Sequence, residues 1–524
     1  MVPSPTSPKV RIVAFIDIGT NSTRLLVARI NRDCSYTILS RQKQLVRLGE
    51  GEFSENILRD DAMDRGILVT SQFIKLARSF GAEEVVAVAT SAARDAVNRN
   101  LFLGRLRRET GVDVRVISGR EEARLIYLGI SSGIDLGDQH ALFVDIGGGS
   151  TEIAIGSQRC HFYLDSIDMG SIRLSNRFFP GGNVAAVSDS EYQEICDYVR
   201  NAMAAVIRES RQFRIDRAIG SSGTVINLGE IARRVFPGKK DEDTIFISRT
   251  EIEAVSAMLC SLPLKERKKV PGINPERADI LICGAAILET LLKELDIDQI
   301  AISNRGLQDG LIVDYLSQME NFPIISDLNL RQRSILQVGH SYGVNEFHAR
   351  NVIRIALELY DSARALSLHQ YGDRERELLE YATFLHDIGS FISYVNHQVH
   401  SAYIIENTDI PGFDPREILI MAKIARFHRK KPPHRKHKEL GILDNEAREQ
   451  VIVLSAFIRL AESLDRSHMG LVRSARFTEA DEDRVVLLVA APEDCHLEMK
   501  GGENEAANFE KIFGKEMVLQ MENI

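Results

Sequence analysis

Residues 142–156 read Leu-Phe-Val-Asp-Ile-Gly-Gly-Gly-Ser-Thr-Glu-Ile-Ala-Ile-Gly. An apolar run reaches Asp145, passes through three glycines, and resumes as an alternating β-branched run, which predicts strand, turn and strand. Consecutive residues without Cβ atoms let backbone N–H groups close on an anion, so the turn is a candidate phosphate grip. A Walker or dinucleotide loop would open a helix here, and the former would also need a Lys before its Ser/Thr. A plain hairpin would not need Asp145 at the end of an apolar strand, where a buried carboxylate requires a partner or a cation.

The same phrase occurs earlier. Phe15-Ile16-Asp17-Ile18-Gly19-Thr20-Asn21-Ser22-Thr23 matches residues 143–151 in its Phe, Asp, Ile, Gly, Ser and Thr, and a strand-like run follows each copy. Two copies of one unit predict two similar lobes presenting their turns to a common cleft, with a phosphorylated ligand between them.

The two turns resemble the phosphate loops of the superfamily that contains acetate and sugar kinases, heat-shock chaperones and actin. Their wording is similar to its exopolyphosphatase and guanosine pentaphosphate phosphatase branch. Residues 89–94, 117–126, 220–224 and 303–310 carry the likeness across the first 320 or so residues. The resemblance implies an α/β fold of two duplicated actin-like lobes (10–135 and 136–318). It implies Mg2+ held by Asp17, Asp145 and Glu152, and phosphates held by Asn21, Ser22, Arg94, Gly147, Gly148, Gly149, Ser150, Thr151, Ser222, Gly223 and Thr224. Glu122 would be the general base that activates water. The implied activity is exopolyphosphatase, with hydrolysis of guanosine pentaphosphate or non-catalytic sensing of a phosphonucleotide as alternatives, and the implied assembly is a homodimer.

Glu122 has a reading without the resemblance. Ser118 and Glu121 have the spacing of a capping box, which assigns Glu121 to structure. Glu122 points about 100° away around the helix, and its bland reading is a first-turn carboxylate favouring the helix dipole.

At 524 residues the chain is long enough for three or four domains. With 44% hydrophobic and 27% charged residues it has an ordinary globular composition. No apolar run is long enough to cross a membrane, and residues 1–9 lack the core of a signal peptide, so a cytoplasmic protein without a membrane partner is expected. Six scattered cysteines predict neither disulfides nor a thiolate metal site. A net charge of -9 does not attract a polyanion, so such a ligand needs a local basic path. The segment 426–438 offers one through Arg426, His428, Arg429, Lys430, Lys431, Arg435 and Lys436. It reads either as a solvated loop or as a rail for polyphosphate; a single interleaved aromatic, Phe427, argues against nucleic acid.

A break at 319–323 opens a predicted all-α domain (322–470). His348, His386-Asp387 and Asp465 fall on its successive helices, with His400 and His428 between. The set resembles that of the HD phosphohydrolases and implies a divalent metal; the alternative is satisfied helix-packing histidines. Residues 471–524 predict a small α+β module, with strands at 484–489 and 496–500 and a helix near 505–513.

Overall fold

The computed structural model describes residues 10–31, 34–50, 56–182, 184–236, 246–319, 328–492 and 495–523. The N-terminal tail at 1–9 and residues 320–323 of the predicted break lie outside them. The chain divides into two compact units, residues 1–330 and 331–524.

The first unit holds two sheets. One comprises β1 (Arg11–Ile18), β2 (Ser22–Ile30), β3 (Tyr36–Leu45), β4 (Glu84–Ala89) and β5 (Val114–Val116), ordered β3-β2-β1-β4-β5. The other comprises β6 (Ala141–Ile146), β7 (Thr151–Gly156), β8 (His161–Ile167), β9 (Arg217–Ser221), β10 (Phe246–Ser248) and β11 (Gln299–Ile302), ordered β10-β11-β9-β6-β7-β8. In each, a strand ending in the acid pairs antiparallel with the next strand and parallel with the one that follows a helix. The repeated phrase is therefore a repeated topology, and the duplicated actin-like α/β class expected from the loops is the fold observed.

The central strands β1, β6 and β9 are buried on both faces along most of their length. Phe15, Phe143, Ile219 and Leu311 belong to one cluster that both lobes share. The helix Leu307–Ser317 returns to the first lobe and crosses the helix Gly119–Ser131. A Cβ on Gly310 would stand 1.8 Å from the Leu125 carbonyl oxygen, and one on Gly129 2.1 Å from that of Gly306. Two glycines let these backbones touch, which fixes the helix that carries Glu122.

In the second unit, the helices Glu346–Ala365, Asp373–Phe384, His397–Asn407, Pro415–Arg426 and Asn445–Ser463 pack around one core. The sheet β12 (Ser474–Ala480), β13 (Arg484–Ala491) and β14 (Glu516–Asn523) follows. Ala475, Phe477, Leu487 and Phe509 join the core of Val352, Ile355 and Leu464, so the C-terminal segment is not a module apart. The strand expected at 496–500 is instead the first turn of a helix, His496–Phe513. A short alternating window cannot separate the two states. Here Gly501 lets the helix lie against the carbonyl of Ser463, where a Cβ would stand at 2.4 Å, and tertiary packing prevails.

Candidate active site

Ser118 caps the helix Gly119–Ser131 by accepting from the Glu121 amide at 3.2 Å. The Glu121 carboxylate does not return to Ser118 as the capping box required. It takes Arg124 at 2.8 and 2.9 Å, and Arg124 continues to Asp314 at 2.7 Å. A guanidinium one turn away is the stronger partner for a carboxylate. Glu122 points elsewhere, as its place on the helix requires: it is buried, and its Oε2 accepts from Arg94 Nη1 at 2.9 Å. Arg94 Nη2 is also buried and has no hydrogen-bond partner among the described residues.

Asp17 and Asp145 occupy equivalent places, one residue before the ends of β1 and β6, where the registers set them opposite Arg24 and Glu152. Asp145 accepts from the Ser221 hydroxyl, Glu152 accepts from Ser166 at 2.8 Å, and Asp17 Oδ1 is buried without a partner. Burial raises all four acids. It carries Asp17 to about 6, with Arg24 opposing and Asp145 adding, and Glu122 to about 7, with Arg94 opposing. Asp145 and Glu152 are also pushed up by burial, and the charge of Glu122 adds to the rise of Glu152. A buried group of mutually repelling hard oxygen donors, one of them orphaned, fits a divalent cation such as Mg2+.

The turns are built alike: the Gly19 amide donates to Ser22 O at 3.1 Å, and the Gly147 amide to Ser150 O at 3.0 Å. The carbonyls of Gly147, Gly148 and Gly149 are tied back to Ser171 N, Ile172 N and Arg173 Nε at 3.0, 2.8 and 2.8 Å. A trans peptide sets N–H opposite C=O, so the amides of Gly148, Gly149 and Ser150 turn the other way. Arg173 also reaches across to Asp95 and Ser91 of the first lobe.

The hydroxyls of two residues expected to hold phosphate are engaged with backbone carbonyls. The Thr151 hydroxyl donates to Met169 O at 2.5 Å and that of Thr224 to Ile146 O at 3.2 Å, so both side chains brace the loops. Ser222 holds a positive φ of 85° and accepts from the Thr224 amide at 3.2 Å. Four cations absent from the sequence reading line a cleft cavity of about 340 Å³ together with Asp145, Ser222 and Gly223: Arg24, Lys43, Arg277 and Arg41, the last paired with Asp309 at 2.9 Å. Burial lowers Lys43 to about 8 and Arg277 to about 10, and Arg24 adds to both. Nothing in the sequence marked them, since single cations on strands and loops are common.

A profile of the Ppx/GppA phosphatase family matches residues 26–319, and one of its domain III matches residues 330–500. The chain belongs to the Ppx/GppA phosphatase family. It is 30% identical over 481 residues to the guanosine-5'-triphosphate,3'-diphosphate pyrophosphatase of Aeromonas hydrophila, covering 91% of this chain and 92% of that protein. Its counterpart in Photobacterium profundum is 29% identical, covering 81% of each chain. Among solved structures, an exopolyphosphatase from Cytophaga hutchinsonii is similar at a TM-score of 0.55 and 26% identity, covering 59% of this chain and 99% of that one.

In the domain III region of this Ppx/GppA phosphatase, the histidines and carboxylates expected to converge do so, with changes of membership. His348 Nε2 and His386 Nε2 lie 3.1 and 3.3 Å from Glu462 Oε2, and 3.9 and 3.8 Å from the two oxygens of Asp387. Asp465 is corrected: it accepts from the other ring nitrogen of His348, Nδ1, at 2.7 Å. Glu462, three residues earlier and near the end of the helix Asn445–Ser463, stands where Asp465 was expected. His428 does not belong to a surface rail: it is buried, 3.2 Å from His397 and 3.6 Å from Asp387. Other cations of the basic segment are engaged locally, Arg426 with Glu439 at 2.9 Å, Arg435 with Glu449 at 2.5 Å and Lys430 with Asn396.

Proposed function

We propose that the chain hydrolyses the terminal 5'-phosphoanhydride of guanosine pentaphosphate, releasing orthophosphate, with Glu122 as general base. The observation that carries the reading is the pair of half-buried Arg94 and buried Glu122 among Asp17, Asp145 and Glu152. A base near pH 7 is well matched to deprotonating water in the transition state. Arg94 fixes Glu122 Oε2, which leaves Oε1 to take the proton, while Arg94 Nη2 donates to a phosphate oxygen. The amides of the two turns, with Asn21, Ser22 and Ser150, hold the terminal phosphate in line. Mg2+ bound by Asp17, Asp145 and Glu152 would neutralise charge on the phosphate oxygens. Arg24, Lys43 and Arg277 fit the remaining phosphates of a compact, highly charged nucleotide.

Two relatives named guanosine-5'-triphosphate,3'-diphosphate pyrophosphatase align over 91% and 81% of the chain, which supports the nucleotide. Inorganic polyphosphate is the second reading, favoured by the likeness of 59% of the chain to a structure named an exopolyphosphatase. Its argument from a basic rail is weaker once His428 is buried and Arg426 and Arg435 are paired. Phosphate release from both substrates by the purified chain tests the choice. A kcat/KM at least about tenfold higher for the nucleotide is expected, a difference of about 1.4 kcal/mol. The reverse preference makes the chain an exopolyphosphatase.

A further inference from the structure

Four imidazoles in the second unit share one arrangement. His386 Nδ1 faces Thr383 O at 2.5 Å, His397 Nδ1 faces Tyr394 O at 3.0 Å, and His428 Nδ1 faces Ala425 O at 2.7 Å. A carbonyl only accepts, so each Nδ1 carries a proton, and in the neutral ring Nε2 is left with a lone pair. His348 Nδ1 is engaged in the same way by the Asp465 carboxylate, itself held by the Gly470 amide at 2.8 Å. With neutral rings the four Nε2 atoms converge as acceptors on two further acceptors, the carboxylates of Asp387 and Glu462. His386 Nε2 and Asp387 Oδ1 are buried without a hydrogen-bond partner. Such a cluster calls for positive charge at its centre.

The spacings are those of ligands and not of hydrogen-bonded pairs alone. Bonds of about 2.1 Å place two ligand atoms on one ion about 3.0 Å apart at a right angle and about 3.4 Å apart in a tetrahedron. Here His397 Nε2 lies 3.0 Å from Asp387 Oδ1 and 3.2 Å from His428 Nε2, and His428 lies 3.6 Å from the same oxygen. On the other side His348 and His386 lie 3.1 and 3.3 Å from Glu462 Oε2. Asp387 turns Oδ1 to the first group and Oδ2 toward His348, at 3.9 Å. We propose that the helical unit carries a two-ion transition-metal centre, with His348, His386 and Glu462 on one ion, His397 and His428 on the other, and Asp387 bridging them.

Four imidazoles select manganese, iron, cobalt, nickel or zinc over magnesium, which takes oxygen ligands. Nδ1–H bonded to a carbonyl or carboxylate is the outer-shell pattern that orients a metal-binding imidazole, and it assigns Asp465 a positioning role. The Asp387 side chain is 24% exposed, so water reaches the bridge. The centre lies wholly within the second unit and is independent of the cleft chemistry.

The test is metal content. Full-length chain, stripped with a chelator and held in excess Mg2+ to occupy oxygen-only sites, is loaded with Co2+ or Zn2+, desalted and analysed by elemental mass spectrometry. Two equivalents are expected. His397→Gln with His428→Gln should retain one, Asp387→Asn fewer than two, and Asp465→Asn two with affinity lowered by roughly 10- to 100-fold. Circular dichroism of each metal-free variant separates lost ligands from lost fold. Fewer than two equivalents in the wild-type chain overturn the proposal, as do two equivalents retained by both Asp387→Asn and the double histidine variant.

Discussion

Arg94 Nη1 donates to Glu122 Oε2 at 2.9 Å across the mouth of the first lobe, joining the short helix Ser91–Asp95 to the helix Gly119–Ser131. The guanidinium offsets part of the burial that raises Glu122, and without it the acid would lie higher still. One contact thus sets both where the proposed base points and the pH at which it could work.

Glu122→Gln keeps the size and the helix position but cannot accept a proton from water. Turnover should fall by roughly 100- to 10,000-fold while substrate affinity stays within a few-fold. Single-turnover phosphate release beside equilibrium binding separates the two. Near-normal turnover would remove Glu122 as the base, and Glu121 could not replace it, because its hydrogen bonds from Arg124 hold it low and committed.

Arg94→Gln removes a charge that favours ionised Glu122, so the pKa of Glu122 should rise. The acidic limb of the kcat/KM profile should therefore move to higher pH as the maximum falls. A profile with an unmoved acidic limb would sever the electrostatic link between these residues.

Asp17 and Glu122 bind protons more tightly folded than unfolded, at about 6 and about 7 against ordinary values of 3.8 and 4.5. By linkage their contribution to stability is full below the ordinary values and is lost as pH rises through about 6 and then about 7. Chelator-treated protein should therefore lose melting temperature between pH 5 and pH 8. Added Mg2+ should restore it at pH 8 and do little at pH 5, where protons compete for the same oxygens. Calorimetry with and without Mg2+ reads both effects, and equal gains at the two pH values would argue against a carboxylate Mg2+ site.

Gly310→Ala puts a Cβ 1.8 Å from the Leu125 carbonyl oxygen, a clash with backbone that no side-chain rotation relieves. The two helices must separate, at a cost of about 3 kcal/mol. Because one of them carries Glu122, turnover should fall as well. Urea unfolding and steady-state kinetics on the same preparation check the pairing.

The sequence by itself determined the duplicated fold, because the strand–turn–strand phrase is local and each copy needs only its own glycines and alternation. It also placed Glu122 apart from Glu121, since a helix turns by a fixed angle per residue. The tertiary structure alone decided what each polar side chain meets. Glu121 took Arg124 in place of Ser118, and Glu462 stood where Asp465 was expected, since neighbours one helical turn apart are interchangeable until a partner helix arrives. His428, read as part of a basic loop, became buried because His397 and Asp387 come from helices and turns remote in sequence. Residues 496–500 became helix because Gly501 met the carbonyl of Ser463. Apart from the local Glu121–Arg124 pair, which Asp314 holds from 190 residues away, these contacts join positions tens to hundreds of residues apart, and no local pattern encodes that distance.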